Sequence, residues 1–245
     1  MSRREIVLVH SSDLHVDHDY TARMHGGDGT AGLAAVLASA REARADVVLL
    51  AGDTFDCHRL PNELLDRTAE VIAAAGLPVV ILPGNHDPAV DDAVFHYGAL
   101  RGVENLHVLG IRHPQAVLFA DLDLEVWGRP HLDYGDMIPF ETTLPRRTRW
   151  QVAIGHGHYV PEPDRSTHLR PSWLIGDAEL AATAADYVAL GHWNRPVRVG
   201  NGGVAAYYSG SPEYAGTVNT VRLTEDGEAV VVRTPLDIAR EPTGL

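Results

Sequence analysis

Three scarcities narrow the reading of this chain before any motif is considered. Cys57 is the one cysteine in 245 residues, which rules out an internal disulfide and fits a reducing compartment. No apolar run approaches the roughly 20 residues of a membrane-spanning helix. The first one, Ile6-Val7-Leu8-Val9, follows a charged start but is too short for a signal peptide. No membrane association and a cytoplasmic location are therefore expected. Positive charge is also short. Lys and Arg number 20 against 33 Asp and Glu, for a net charge of −13. Avid binding of polyanions normally rests on clustered cations, so non-specific nucleic-acid binding is disfavoured. The chain lacks internal repeats, low-complexity tracts and any clear linker, so one domain over residues 1–245 is expected.

Hydrophobic residues at 45% and charged ones at 22% describe a globular protein with a sizeable core. Short β-branched and aliphatic runs alternate with helical periodicity in its first third. Ile6–Val9, Val47–Leu50 and Val79–Ile81 read as buried strands. Leu33, Val36, Leu37 and Ala40 mark an amphipathic helix over Thr30–Ala45. A second helix opens at Pro61-Asn62 and ends at Gly76, placed for a left-handed cap. Strand, helix, strand, helix, strand at this spacing means right-handed parallel crossovers and an α/β fold. Further on, Asp91–Leu100 reads as a short helix, and Leu106–Leu109, Ala116–Phe119 and Leu122–Trp127 as strands. Gly128–Arg149 reads as loop. Trp150–Ile154 and Tyr187–Leu190 are strands, with a short Ala-rich helix near Asp177–Ala185 between them. The tail reads as strands near Ala205–Ser209, Val218–Leu223 and Ala229–Arg233, the last two joined by an Asp226-Gly227 turn.

Five of these strands deliver polar clusters. They are Asp13 with His15, then Gly52-Asp53, then Pro83-Gly84-Asn85-His86-Asp87, then Gly155-His156-Gly157-His158, then Gly191-His192-Trp193-Asn194. Chemistry in open α/β sheets gathers at such strand ends. Asp13 and His15, two apart in an extended segment, would project to one side and reach one ion. Gly before Asp53 suits a close approach of backbone and ion. Asp17, His18 and Asp19 read as solvated loop residues, and the segment to Gly29 as a mobile rim. Cys57 reads as a small filler. The oxygen and nitrogen donors, with no thiolate cluster, suit Mn, Fe or Zn and not a structural zinc site.

In this order and spacing the motifs resemble the calcineurin-like metallophosphoesterases, over most of the chain from Asp13 to Asn194. The resemblance implies a four-layer αββα sandwich holding two divalent metal ions, with Mn or Fe favoured and Zn admissible. By it, Asp13, His15 and Asp53 hold the first ion, with Asp53 bridging, and Asn85, His156 and His192 complete the second. His86 is then the general acid, with Asp87 able to orient it. The family pattern Gly-His-x-His is Gly-His-Trp-Asn here, so Asn194 stands at a ligand position, implying a weaker, more exchangeable first ion. His158, Arg129, His131 and Arg195 are candidates for contacting substrate phosphate.

The implied activity is phosphoester hydrolysis by a metal-activated water, as a phosphodiesterase or phosphatase on a small molecule or nucleotide. Gly52-Asp53-Thr54-Phe55-Asp56 and Tyr208-Ser209-Gly210-Ser211-Pro212 look like the DNA-repair exonuclease (SbcD-type) branch. A nuclease-like activity is therefore the alternative, although that branch's capping region and ATPase-docking segment are not recognised and an ATPase partner is not expected. A metal-binding scaffold with weakened catalysis is the alternative of another class.

Overall fold

The computed structural model describes residues 5–17, 19–166 and 170–238. Met1–Arg4 and His18 of the sequence reading lie outside these residues. Among the described residues, twelve strands form two six-stranded sheets. In the first sheet, β1 (Ile6–Ser11), β2 (Val47–Ala51), β3 (Val79–Leu82) and β4 (Leu106–Val108) run parallel. The chain returns at its end to add β11 (Thr217–Leu223) antiparallel to β1 and β12 (Ala229–Pro235) antiparallel to β11. In the second sheet, β6 (Leu124–Gly128), β7 (Trp150–His156), β8 (Tyr187–Gly191) and β10 (Ala206–Tyr208) run parallel. Antiparallel β5 (Ala116–Phe119) and β9 (Val197–Val199) close its two edges.

The central strands are continuous apolar runs because both faces of each are covered. Alternate side chains of one strand enter different cores. Val48, Leu50, Val79 and Ile81 pack outward on α2 (Ala31–Glu42) and α3 (Asn62–Ala75), against Leu33, Val36, Leu65 and Ile72. Their neighbours Val47, Leu49, Val80 and Leu82 point inward and meet Val126, Val152, Ile154 and Ala189 of the second sheet. A third core covers that sheet's far face, where Leu180 of α4 (Asp177–Ala182) lies with Ile175, Val188 and Leu190. Three cores separate four layers, the expected αββα sandwich. The two long helices fall where the periodicity places them, and α3 ends on Gly76 at φ 67°.

The expected helix over Asp91–Leu100 is instead two 3₁₀ turns, Val94–His96 and Gly98–Gly102. Extended Tyr97 (φ −111°, ψ 161°) and left-handed Gly98 (φ 57°) break the ladder between them. Two short helices lay outside the sequence reading, α1 (Tyr20–Met24) and α5 (Pro212–Ala215), although Ser211, Pro212 and left-handed Gly216 bound the second. Among the described residues no helix is long and apolar enough to cross a membrane.

Candidate metal centre

Three parallel strand ends of the first sheet face two of the second, so residues far apart in sequence converge. The loops after β1 and β2 run side by side: Asp13, His15 and Val16 donate backbone N–H bonds to the carbonyls of Gly52, Asp53 and Thr54, at 3.0, 3.1 and 2.9 Å. This pairing puts Asp13, His15 and Asp53 together by a different route from the extended segment expected from their spacing. Asp13 (φ 53°), His15 (φ 47°) and Asp53 (φ 51°) all adopt the left-handed conformation, as does His192 (φ 99°). Such strain persists where surrounding structure over-determines it, and it gathers at functional sites.

His156 is the centre of the second strand group. Its Nδ1 donates to the carbonyl of Ala51 across the two sheets at 2.8 Å. That bond sets the tautomer and leaves Nε2, which lies 3.0 Å from Asn85 Oδ1 and 3.1 Å from Asp53 Oδ2. A Cβ on Gly52 would fall 2.0 Å from His156 Nδ1, and one on Gly191 would fall 1.8 Å from the Ala51 carbonyl oxygen. The glycines before Asp53 and His192 thus make room for an imidazole and for the backbone that holds it, where the sequence suggested room for an ion.

Two groups of donor atoms, His15–Asp53–His86 and Asp53–His156–His192, each lie within 4.8 Å of one another. Asp53 belongs to both. The donor chemistry, a shared carboxylate between imidazoles with one imidazole nitrogen already committed to backbone, fits two divalent ions. Asp13 is buried alongside, where Ser12 Oγ donates to its carboxylate and the His192 N–H reaches both oxygens at 3.1 and 3.0 Å. Burial raises the Asp13 carboxyl, and the charge of Asp53 adds to the effect. Burial works the same way on Asp53, but the imidazoles of His156, His86 and His15 outweigh it and hold that carboxyl well below the usual range. Burial pulls His156 down, yet Asp53 and Asp13 push it up to about 9. His192, half-buried beside His156, is pushed down to about 4, first by burial and then by the His156 charge.

Several expected roles are corrected. Asp87 does not orient His86. Its buried carboxylate accepts the N–H of Gly84 at 2.7 Å and of Phe55 at 3.1 Å, clasping the β2 and β3 loops together. Burial and the nearby Asp53 raise it to about 7. The residue facing His86 is Asp56: the His86 Nδ1 lies 3.0 Å from its carbonyl and 3.6 Å from its carboxylate, which is also 3.4 Å from His15 Nδ1. In the sequence Asp56 stood out only as the last residue of the Gly52–Asp56 motif, with no role attached. His131, expected to contact substrate phosphate, is buried, and its Nε2 donates to the His156 carbonyl at 3.0 Å, so it buttresses that strand end. Arg129 is committed to the Glu141 carboxylate and the Ile138 carbonyl. Asp17 is not a solvated acid but a buried one that accepts the N–H groups of Thr21 and Ala22 and starts α1.

His158 is exposed, its Nδ1 accepting from Trp193 Nε1 at 2.9 Å, and its ring centre is 6.4 Å from that of His192. Asn194 is exposed and lines a cavity of about 570 Å³ together with Asp13, His15 and His86. Half-buried Cys57 lines the same cavity, and Arg195 is exposed outside it. Trp173 and Trp193, which the sequence did not single out, wall the His192 side. Trp173 packs edge-on to His192, and Trp193 stacks on Tyr208 at 4.5 Å.

The family model described as calcineurin-like phosphoesterase matches residues 6–196. The SbcD subunit of the SbcCD nuclease from Bacillus subtilis (strain 168) is 24% identical over 238 aligned positions, covering 84% of this chain. The chain spans 61% of that relative's length. A putative 5'-nucleotidase from Staphylococcus aureus, solved in complex with alpha-ketoglutarate, superposes with a TM-score of 0.60 at 15% identity, over 99% of this chain and 56% of that one. TT1561 of Thermus thermophilus superposes with a TM-score of 0.56 at 12% identity, over 94% and 99%. Likeness at these identities speaks for the fold.

Proposed function

The chain belongs to the calcineurin-like phosphoesterase family, and from that premise we propose that it hydrolyses phosphoesters of small molecules or nucleotides, as a phosphodiesterase or phosphatase. The observation that carries the reading is the single carboxylate, Asp53, common to both donor groups. Asp53 and His15, with Asp13 and Asn194 beside them, would hold one ion, and Asp53, Asn85, His156 and His192 the other. Two divalent ions held there, Mn or Fe by this donor set and Zn less so, supply charge neutralisation and a water nucleophile at neutral pH.

The remaining work falls to side chains. Ser12 and the His192 N–H fix the Asp13 carboxylate, while Ala51 and His131 fix the imidazole and the carbonyl of His156. Held this way, the donors need little rearrangement as charge develops. His86 sits exposed at the cavity's edge, its Nδ1 engaged by Asp56. Its Nε2 is then the nitrogen that delivers a proton to the departing alkoxide. Asp56 positions that ring, and because its carboxylate also faces His15 it couples the acid to the first donor group.

A nuclease-like activity is the second reading, favoured by the similarity to the SbcD subunit of the Bacillus subtilis nuclease; the acidic balance of the chain weighs against it. The test is Mn²⁺-dependent hydrolysis of bis-p-nitrophenyl phosphate, p-nitrophenyl phosphate, an alkyl phosphate and single-stranded DNA, with bound metal measured in parallel. p-Nitrophenolate leaves without a proton. His86→Ala should therefore spare the nitrophenyl esters, cost about 10²–10⁴ on the alkyl ester, and keep both metals. DNA as the best substrate would favour the second reading. No turnover of any ester with metal bound would overturn the hydrolase and leave a metal-binding scaffold.

A further inference from the structure

Beside His86 opens the cavity of about 570 Å³, and its far wall is made by α1 and α5, the two short helices that the metal centre does not use. Each helix contributes a tyrosine. Tyr20 and Tyr214 are 56% and 67% exposed, and their hydroxyls are hydrogen-bonded to one another. Single exposed aromatics are ordinary on a protein surface. Two that line one cavity with His15 and His86 are not, and the frame beneath them is fixed. Asp17 clamps the start of α1 through the N–H groups of Thr21 and Ala22. His25, at the end of α1, is bonded at 2.8 Å to both carboxylate oxygens of Glu213, the residue before Tyr214. A rigid, pre-formed aromatic rim loses little entropy on taking a ligand.

The charges around the cavity say what kind of ligand. Among its described lining residues there is no arginine, and the chain contains no lysine. A second phosphate on the departing group would therefore meet no arginine or lysine. The lining carboxylates already have partners: Asp13 the Ser12 hydroxyl and the His192 N–H, Asp17 backbone, Asp19 Arg23 at 2.9 Å, Asp56 His15 and His86, and Glu213 His25. An ammonium group would have to compete with these partners. What the cavity offers is two tyrosine rings and apolar flank from Leu14 and Leu60.

We infer that this cavity is the leaving-group subsite, that it takes a planar uncharged ring such as a nucleobase against Tyr20 and Tyr214, and that the substrate carries no second anion there. The inference rests on the hydrolase reading for its orientation, because His86 hands its proton toward this side.

The experiment compares the metal-loaded wild type with Tyr214→Ala and Tyr214→Phe on benzyl phosphate, ethyl phosphate, choline phosphate and a thymidine triphosphate. Benzyl and ethyl leaving groups differ little in chemistry, so their ratio of kcat/KM reports the ring alone. That ratio should favour benzyl by about tenfold, within the range of one aromatic stack; it should collapse in Tyr214→Ala and survive in Tyr214→Phe. An equal loss on both esters in Tyr214→Ala, or a better kcat/KM for choline phosphate or the triphosphate than for benzyl phosphate, overturns it. Binding of thymidine, measured by calorimetry on the same proteins, separates the two readings. Thymidine bound about tenfold more weakly by Tyr214→Ala, with no ester turned over, keeps the subsite and removes the hydrolase. Turnover without ring preference and without thymidine binding removes the subsite alone.

Discussion

Replacing Gly52 by alanine would test the proposition that His156 is locked against the neighbouring strand end. The new Cβ would stand 2.0 Å from His156 Nδ1 and 2.4 Å from its Cγ, on a backbone at φ +87°. A side chain in that conformation costs about 1–2 kcal/mol. Overpacking typically adds about 1–3 kcal/mol, and loss of the bond to the Ala51 carbonyl about 1 kcal/mol. Together these give about 3–6 kcal/mol, on the order of half of a domain's stability. For a chain of this size that lowers Tm by roughly 10–20 °C. Displacing His156 should also weaken Mn²⁺ binding by about 10–100-fold, as loss of a ligand's support does. Gly76→Ala is the control. Its φ is +67° but nothing lies within 4 Å of the added Cβ, so only the backbone cost of about 1–2 kcal/mol applies. Urea unfolding of the metal-stripped proteins and Mn²⁺ titration by calorimetry read the two effects. If Gly52→Ala costs no more than Gly76→Ala and binds Mn²⁺ as the wild type does, the lock is refuted.

The metal-stripped protein should lose stability as pH rises. His156 titrates at about 9 in the folded chain against 6.5 ordinarily, so its contribution is whole below pH 6.5 and is lost as the pH climbs through about 9. The urea midpoint should fall across that window in the wild type and stay flatter in His156→Gln; a midpoint rising with pH in the wild type contradicts the pairing with Asp53. Asp56→Asn keeps the backbone carbonyl bonded to His86 Nδ1 and removes only the carboxylate charge 3.6 Å away, so kcat on alkyl phosphates should fall by at most about tenfold, a small part of the roughly 10²–10⁴ of acid catalysis, with KM and nitrophenyl esters unchanged. An equal loss on nitrophenyl esters would point to damage at the metal centre. Asn194→His should tighten the weaker of two Zn²⁺ or Mn²⁺ sites in a titration of stripped protein, because imidazole outbinds a neutral amide for such ions; identical isotherms would show that position 194 touches no metal.

The covalent order of residues was enough for an α/β fold with parallel crossovers and for the polar clusters at its strand ends. Strands such as Val47–Leu50 and Val79–Ile81 are apolar without interruption, which only a sheet covered on both faces rewards; the αββα sandwich itself was implied by the resemblance of the motifs, and the two packed sheets bear it out. Asp13, Asp53, Asn85, His156 and His192 stood out because each lies at the end of such a strand or within three residues of it, where chain direction alone brings it to the same edge. Side-chain direction beyond the strand end was another matter. The left-handed turns at Asp13 and His15 exist because the loops after β1 and β2 hydrogen-bond to each other. Neighbours in sequence, His86 and Asp87 diverge because the Asp87 carboxylate is drawn to the N–H groups of Gly84 and Phe55, and His86 is left to Asp56. The long-range bond from His25 to Glu213 joins α1 to α5 and so builds the tyrosine rim. The sequence by itself determined which chemical groups reach the edge of the sheets; only the tertiary structure decided which way they point, because that depends on partners supplied by distant loops.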